Sequence, residues 1–153
     1  MDADRRWLAE AIELSKRCPP TDAAFSVGAV LVNSEGQLLA SGYSRQADPK
    51  DHAEEVAVAE AAALAADLRG ATLYSSLEPC RRRVSRPVPC ADLILGSGVE
   101  RVVFAWREPP IFQPGGGAQW LSEHGVEVIE LADLAPFARA VNSQVLKRHL
   151  SDS

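Results

Sequence analysis

Three side chains that can bind soft metal ions lie at the start of a predicted helix or after a predicted strand. His52 opens an alanine-rich helix, Cys80 follows a short apolar strand, and Cys90 opens the next helix. The positive end of a helix dipole lowers the pKa of a nearby thiol and so favours the thiolate, the form that binds metals. Three protein ligands leave the fourth tetrahedral position of a zinc ion open, as in catalytic sites. If these side chains converge, they predict a catalytic zinc centre.

The elements that must bring these side chains together follow from apolar spacing, turn residues and prolines. Predicted helices cover residues 3–18, 52–68, 90–95 and 118–124, and a last helix runs through residues 134–149. Predicted strands cover residues 27–32, 37–41, 71–75, 101–105 and 126–129, the first two as a hairpin. Asp51 is the predicted N-cap of the second helix. Because strands and helices then alternate, we predict an α/β protein: a three-layer α/β/α domain with a central five-stranded mixed sheet.

Length and composition are typical of one globular domain. The chain has 153 residues, of which 46% are hydrophobic and 24% charged, and its 3 cysteines are too few for a disulfide scaffold. No apolar stretch approaches a bilayer span and the first residues carry no apolar signal segment, so we expect a cytoplasmic protein with no membrane partner. The net charge of −5 disfavours a nucleic-acid partner, because phosphate binding needs a basic surface.

The order of these residues resembles that of a known family. His-Ala-Glu at 52–54, Pro-Cys at 79–80 and then Cys90 match the pattern of the zinc-dependent cytidine deaminase superfamily. The long segment between the two cysteines, which ends in Pro-x-Pro-Cys, resembles the deaminase domain of riboflavin biosynthesis, the RibD type. The resemblance extends over residues 27–129 and includes the stretches 77–80, 101–103 and 116–128.

The resemblance implies a cytidine deaminase-like fold and a hydrolytic deaminase with one zinc ion per chain, held by His52, Cys80 and Cys90. Zinc lowers the pKa of its bound water to about 7. By the same resemblance Glu54 does not bind the metal; it takes the proton of this water, protonates a ring nitrogen and helps ammonia leave. An exocyclic amine on a pyrimidine-type ring becomes a carbonyl. The substrate implied is 2,5-diamino-6-ribosylamino-pyrimidinone 5′-phosphate or a related aminopyrimidine.

Each of these residues also has a structural interpretation. Glu54 stands three residues after the predicted N-cap Asp51, a spacing typical of a capping box. Cys80 and Cys90 can be read as ordinary buried thiols. Cys18 as a fourth ligand would close the zinc site, although its place at a helix C-terminus disfavours the thiolate.

Residues beside the predicted strands are candidates for the substrate pocket. By resemblance, the segment before the first strand lines the pocket, and Phe25-Ser26 stands there where RibD-type domains carry Asn-Pro. Phe25 is therefore expected to face the ring or to fill the core. Ala53 and Gly28 are small enough for a flat ring to approach closely. Trp106 is predicted on the loop after the fourth strand, where it borders the pocket or joins the core or an interface.

A cluster of arginines lies between the two cysteines: Arg81, Arg82, Arg83 and Arg86. Arginine binds phosphate through paired hydrogen bonds, so one or two of these side chains are candidates for holding a substrate phosphate. The alternative is a solvated loop, since most charge runs are simply exposed. In the RibD type this loop often carries a histidine instead.

Three functions follow, in order of preference. The first is a RibD-like aminopyrimidine deaminase; because the 153 residues leave no room for the reductase domain of RibD proteins, we expect a single deaminase domain that acts alone. The family resemblance also implies a homodimer or homotetramer. The second is a deaminase of a nucleoside, a free base or adenosine in transfer RNA. The third is a non-catalytic binding module stabilised by zinc.

Overall fold

The computed structural model describes residues 2–82 and 86–150 and contains a five-stranded sheet between helices. The strands are β1 (Gly28–Val32), β2 (Leu38–Tyr43), β3 (Thr72–Leu77), β4 (Arg101–Trp106) and β5 (Glu127–Glu130). The helices are α1 (Asp2–Ser15), α2 (Ala53–Ala63), α3 (Cys90–Ser97), α4 (Gly117–Glu123), α5 (Ala135–Val141) and α6 (Ser143–Leu150), with a 3-10 turn at Ala132–Leu134. No helix in this part of the chain has the length and apolarity needed to cross a membrane.

The sheet has the strand order β2-β1-β3-β4-β5. β1 pairs antiparallel with both β2 and β3, whereas β3, β4 and β5 are parallel. Every residue of β1 and β3 is buried, so the apolar core lies on both faces of the central strands. Because β3 and β4 are parallel neighbours, the segments that follow them leave from the same edge of the sheet, which is where binding sites of such sheets form.

Two glycines in neighbouring strands let helices approach opposite faces of the sheet. A Cβ atom on Gly28 would lie 2.0 Å from the carbonyl oxygen of Ala11 in α1, and one on Gly42 would lie 2.6 Å from the carbonyl oxygen of Ala53 in α2. Gly42 pairs with Ala29, the residue after Gly28, and successive strand residues point to opposite faces. α1 and α5 therefore cover one face and α2 the other, which confirms the predicted three-layer fold. The space beside Gly28 is filled by α1 and not by a flat ring.

Helix α2 begins one residue later than its predicted cap implies. His52 and not Asp51 is the N-cap. The Asp51 carboxylate is used in a turn before the helix, where it accepts hydrogen bonds from the backbone N–H groups of Ala47 and Asp48 at 3.0 and 2.9 Å. Because of this shift of one residue, Glu55 and not Glu54 lies at the N3 position of the first helical turn.

Other predicted boundaries also differ from the structure. α2 ends at Ala63 and not at residue 68, because Ala65 adopts the left-handed conformation (φ 55°) that ends many helices. The predicted last helix is two helices, α5 and α6, separated at Asn142, whose side-chain amide hydrogen-bonds the backbone of Ser26. Trp106 is the last residue of β4 and not part of the loop after it.

Candidate active site and metal centre

The three predicted metal ligands meet at one end of the sheet. His52 is the N-cap of α2, Cys90 is the first residue of α3, and Cys80 lies three residues after β3. The Nδ1 atom of His52 lies 3.6 Å from the Cys80 Sγ and 3.5 Å from the Cys90 Sγ. All three ligand atoms lie within 4.8 Å of one another, close enough to share one ion.

The surroundings of Cys80 favour its thiolate. The pKa of the Cys80 thiol is held well below its usual range, first by a hydrogen bond from the Cys90 thiol and then by the hydrogen bond and charge of His52, which outweigh its burial. The backbone N–H of Cys90 also donates to the Cys80 Sγ at 3.2 Å. Two thiols and one imidazole are a donor set that tetrahedral zinc uses, so the chain's own residues fit the ion. Cys18 stands apart from this group, and its thiol donates to the carbonyl of Val27 at 3.4 Å.

Glu54 lies in the first turn of α2, beside the metal ligands, and is only 5% exposed. The capping role that the sequence offered for Glu54 belongs to its neighbour, because the Glu55 carboxylate accepts the backbone N–H of His52 at 3.3 Å. Glu54 instead lines the pocket that contains His52 and Cys80.

The pocket beside the metal group has a volume of about 240 Å³, which is small and suits a single ring with its substituents. Phe25 and Phe112 form an aromatic corner, with ring centroids 5.1 Å apart and nearly perpendicular planes. Polar lining comes from Glu54 in α2, from its N-cap His52, and from loop residues: Ser44, Arg45, Lys50, Asp51, Glu78, Glu108 and Gln113.

Two buried carboxylates shape the side of the pocket away from α2. Glu78 accepts the backbone N–H of Glu108 at 3.0 Å and that of Ala118 at 2.9 Å, which fixes the loop after β4 and the start of α4. Glu108 faces the pocket and its carboxylate accepts the Gln113 amide at 3.0 Å. Burial raises the pKa of Glu108 to about 8, and the charges of Cys80, Glu54 and Glu78 act in the same direction.

The structure brings some of the predicted pocket residues to the site and places others elsewhere. Phe25 and Ala53 line the pocket beside the metal group. Trp106 is buried behind Phe25, with ring centroids 5.2 Å apart, and is not part of the lining formed by the described residues.

Among the described arginines of the inter-cysteine segment, none lines this pocket. The Arg81 guanidinium lies 4.4 Å from the ring centroid of Trp120 and pairs with Asp92 at 3.4 Å. Arg82 is exposed. Arg86 pairs with acidic residues before and within α2, namely Asp48, Asp51 and Glu55. Arg83 lies outside the described residues.

Sequence patterns did not reveal Phe112, Glu108 or Gln113 as pocket residues. Phe112 and Gln113 lie on the irregular loop after β4, which carries no periodic signal. One signal for Glu108 was present, because a carboxylate two residues after β4 is expected to lie near residues that follow the parallel strand β3, such as Cys80.

Comparison with known proteins assigns the family. Residues 1–106 match the cytidine and deoxycytidylate deaminase zinc-binding region, a match that covers both the His-Ala-Glu stretch and the two cysteines. The chain belongs to this family of zinc-binding deaminases and has the cytidine deaminase-like fold.

Particular relatives are of the riboflavin type. The chain is 40% identical over 126 residues to the diaminohydroxyphosphoribosylamino-pyrimidine deaminase of Schizosaccharomyces pombe (81% of this chain, 31% of the relative). It is 39% identical over 128 residues to the riboflavin biosynthesis protein RibD of Aquifex aeolicus (83% of this chain, 34% of the relative). The chain thus spans about a third of the length of these relatives.

A solved structure supports the same kinship. The Thermotoga maritima diaminohydroxyphosphoribosylaminopyrimidine deaminase and 5-amino-6-(5-phosphoribosylamino)uracil reductase superposes with a TM-score of 0.82 at 32% identity. The match covers 99% of this chain and 42% of that protein.

Proposed function

We propose that this chain is a zinc-dependent hydrolase that deaminates an aminopyrimidine, converting an exocyclic amine to a carbonyl with release of ammonia. The observation that carries the proposal is the place of Glu54, a buried carboxylate in the pocket that also contains His52 and Cys80. A carboxylate beside a metal group with three protein ligands is the arrangement that activates water for attack on an amino-substituted ring.

His52, Cys80 and Cys90 would hold the zinc ion, with His52 binding through Nδ1, the atom that lies close to both thiols. When bound, zinc supplies a Lewis acid that makes water nucleophilic near neutral pH. The lowered pKa of Cys80 supports ligation as thiolate. Two thiolates would also offset the charge of the ion, so the zinc-loaded site would carry little net charge.

Glu54 is the group that moves protons. Its carboxylate takes a proton from the attacking water and gives it to the ring nitrogen next to the carbon under attack. It then passes the second proton of the water to the departing amine, so that oxygen replaces nitrogen on the ring and ammonia leaves. Ala53 is fully buried and carries only a methyl group, which leaves room for the ring beside Glu54.

The rest of the pocket supports a diaminopyrimidine rather than a cytosine ring. Phe25 and Phe112 provide apolar surface for the faces of a flat ring. Glu108 and Gln113 place hydrogen-bonding groups in the same pocket. The amide oxygen of Gln113 and the carbonyl oxygen of the Glu108 carboxyl can accept N–H groups of a ring that carries amines besides the reacting one, the chemistry named in the Schizosaccharomyces pombe relative.

The phosphate-binding role of Arg81, Arg82, Arg83 and Arg86 stays a prediction. The Arg81 and Arg86 side chains are 36% and 33% exposed, so substrate phosphate can compete with the acidic partners of their ion pairs. Replacing Arg81 and Arg82 by alanine should then raise KM for a 5′-phosphorylated substrate and leave KM for the dephosphorylated compound unchanged. Equal KM values for both compounds in the variant and the wild type would identify the cluster as a solvated loop.

The proposal is tested by a substrate panel with zinc-loaded protein. The panel contains diaminohydroxyphosphoribosylaminopyrimidine with and without its phosphate, cytidine, deoxycytidine monophosphate, cytosine and adenosine. We expect ammonia release from the diaminopyrimidines, with the mass change of amine-to-carbonyl exchange, and much slower release from the others. Ammonia release from none of these compounds would overturn the proposal, and preferential action on cytidine would overturn its substrate.

A further inference from the structure

One wall of the pocket is built from a segment that belongs to no helix or strand. Residues 19–27 lie between the turn that follows α1 and the start of β1, and Ala23, Ala24, Phe25 and Val27 of this segment line the pocket. Backbone groups in such a segment have no ladder or helical partners and must be satisfied by other donors and acceptors. The position of Phe25 therefore depends on what binds the backbone around it.

One guanidinium group binds both ends of this segment. Arg45 donates from Nε and Nη2 to the carbonyl oxygen of Pro19 at 3.2 and 3.0 Å. It donates from Nη1 to the carbonyl oxygen of Phe25 at 3.1 Å, and from Nη2 to the hydroxyl of Ser26 at 2.8 Å. The planar fork of arginine is suited to several acceptors held at fixed angles, which a single ammonium group cannot match.

The backbone of Arg45 is itself fixed to the element that carries the chemistry. Its N–H donates to the carbonyl oxygen of Asp51 at 2.9 Å, directly before His52. Its φ of 58° is in the left-handed region, which few residues other than glycine adopt. Arg45 therefore joins the start of α2, with His52 and Glu54, to the wall that carries Phe25.

We infer that Arg45 is a positioning residue, which holds Phe25 at a fixed distance from the metal group and so sets how tightly the substrate ring is bound. This inference rests on the proposed function, because it assigns Phe25 to the ring. Arg45 acts through Phe25 and not by contact with substrate. A direct contact with a substrate phosphate is the competing role, since Arg45 also lines the pocket.

Two variants separate these roles. Arg45→Met keeps the apolar stem and removes the fork, and Arg45→Lys keeps the charge and removes the fork. Arg69→Met is the control, because Arg69 is exposed and pairs with Asp67 away from the pocket. For each variant, zinc content, thermal stability, kcat and KM are measured with the diaminopyrimidine in its phosphorylated and dephosphorylated forms.

We expect KM to rise about tenfold in both Arg45 variants and equally for both substrates, the order expected when one binding surface loses a fixing hydrogen bond. Zinc content and kcat should stay close to wild type, and lysine should give no rescue. A KM increase confined to the phosphorylated substrate, with rescue by lysine, would overturn the inference in favour of direct phosphate contact.

Two further measurements test the action through Phe25. In a double-mutant cycle with Phe25→Leu, the KM of the double variant should not exceed the higher KM of the two single variants. Additive KM effects would contradict the inference. Hydrogen exchange of residues 19–27 in the zinc-loaded protein should be faster in Arg45→Met than in wild type or Arg69→Met. Unchanged exchange would overturn the inference, and this result needs no assay of activity. A wild-type protein that is inactive on every substrate would instead overturn the proposed function, so the two failures can be distinguished.

Discussion

Replacing Glu78 by glutamine should weaken the whole protein, because this carboxylate joins two segments that meet only in the folded state. One of its oxygens accepts the N–H of Glu108 at 3.0 Å and the other that of Ala118 at 2.9 Å. Glu78 is 3% exposed, so water cannot replace either bond. Glutamine keeps one acceptor oxygen and turns an NH2 group toward the other N–H.

The magnitude follows from the lost bond and the unpaired donor. A hydrogen bond to a charged group contributes about 1.5 to 3 kcal/mol, and a buried donor without a partner costs about 1 to 3 kcal/mol. We expect the free energy of unfolding to fall by about 3 kcal/mol, which for a chain of 153 residues lowers Tm by roughly 6 to 12 °C.

The assay is urea and thermal unfolding of the zinc-loaded protein, with Glu123→Gln as the matched control. Glu123 is exposed and bonds only the side chain of Gln119 among the hydrogen bonds described for it, so this control should change stability by less than about 0.5 kcal/mol. If Glu78→Gln is as stable as the control, the bonds to Glu108 and Ala118 do not hold these segments and the reasoning fails.

Three shorter predictions test other parts of the structure. The Asp4 carboxylate accepts hydrogen bonds from Arg101 at 2.8 and 2.6 Å, which lowers its pKa from 3.8 to about 2. Asp4→Asn should therefore lose about 2 kcal/mol of stability at pH 7 in urea unfolding, and the loss should shrink as the pH falls from about 4 through about 2, because the wild-type carboxylate is then protonated as well. An unchanged loss at low pH would contradict this. Gly117→Ala should lower Tm and zinc affinity in a chelator competition, since the new Cβ would lie 1.8 Å from the Pro79 carbonyl oxygen, next to a metal ligand; wild-type affinity would refute it. Cys18→Ser should retain one zinc per chain by elemental analysis, because this thiol donates to a backbone carbonyl away from the metal group, and a loss of zinc would make Cys18 a ligand.

The metal group and the sheet could be predicted because their signals are local. Short apolar strands and helix-starting residues lie at regular intervals, and each predicted ligand stands at the beginning of a helix or a few residues after a strand. The meeting of His52, Cys80 and Cys90 then follows from strand order. The predicted N-cap of α2 was wrong, because the Asp51 carboxylate accepts hydrogen bonds in the turn before the helix.

The remainder of the pocket could not be predicted because it depends on contacts between distant segments. The dense positive charge between the cysteines led to the prediction that one or two of these arginines hold a substrate phosphate. In the structure Arg81 and Arg86 pair with acidic residues that only the folded chain brings near. Arg45, a lone arginine in a turn, was not predicted from the sequence. It makes four hydrogen bonds to residues 19–26, and no sequence pattern indicates them.

The measurement that tests the account most directly is zinc content together with ammonia release in Glu54→Gln, with Glu55→Gln as the neighbouring control. If Glu54 moves the protons and binds no metal, the variant retains one zinc per chain and releases no ammonia, whereas the control keeps turning over. Turnover like that of the wild type in Glu54→Gln would contradict the account and leave a zinc-stabilised binding module as the better description.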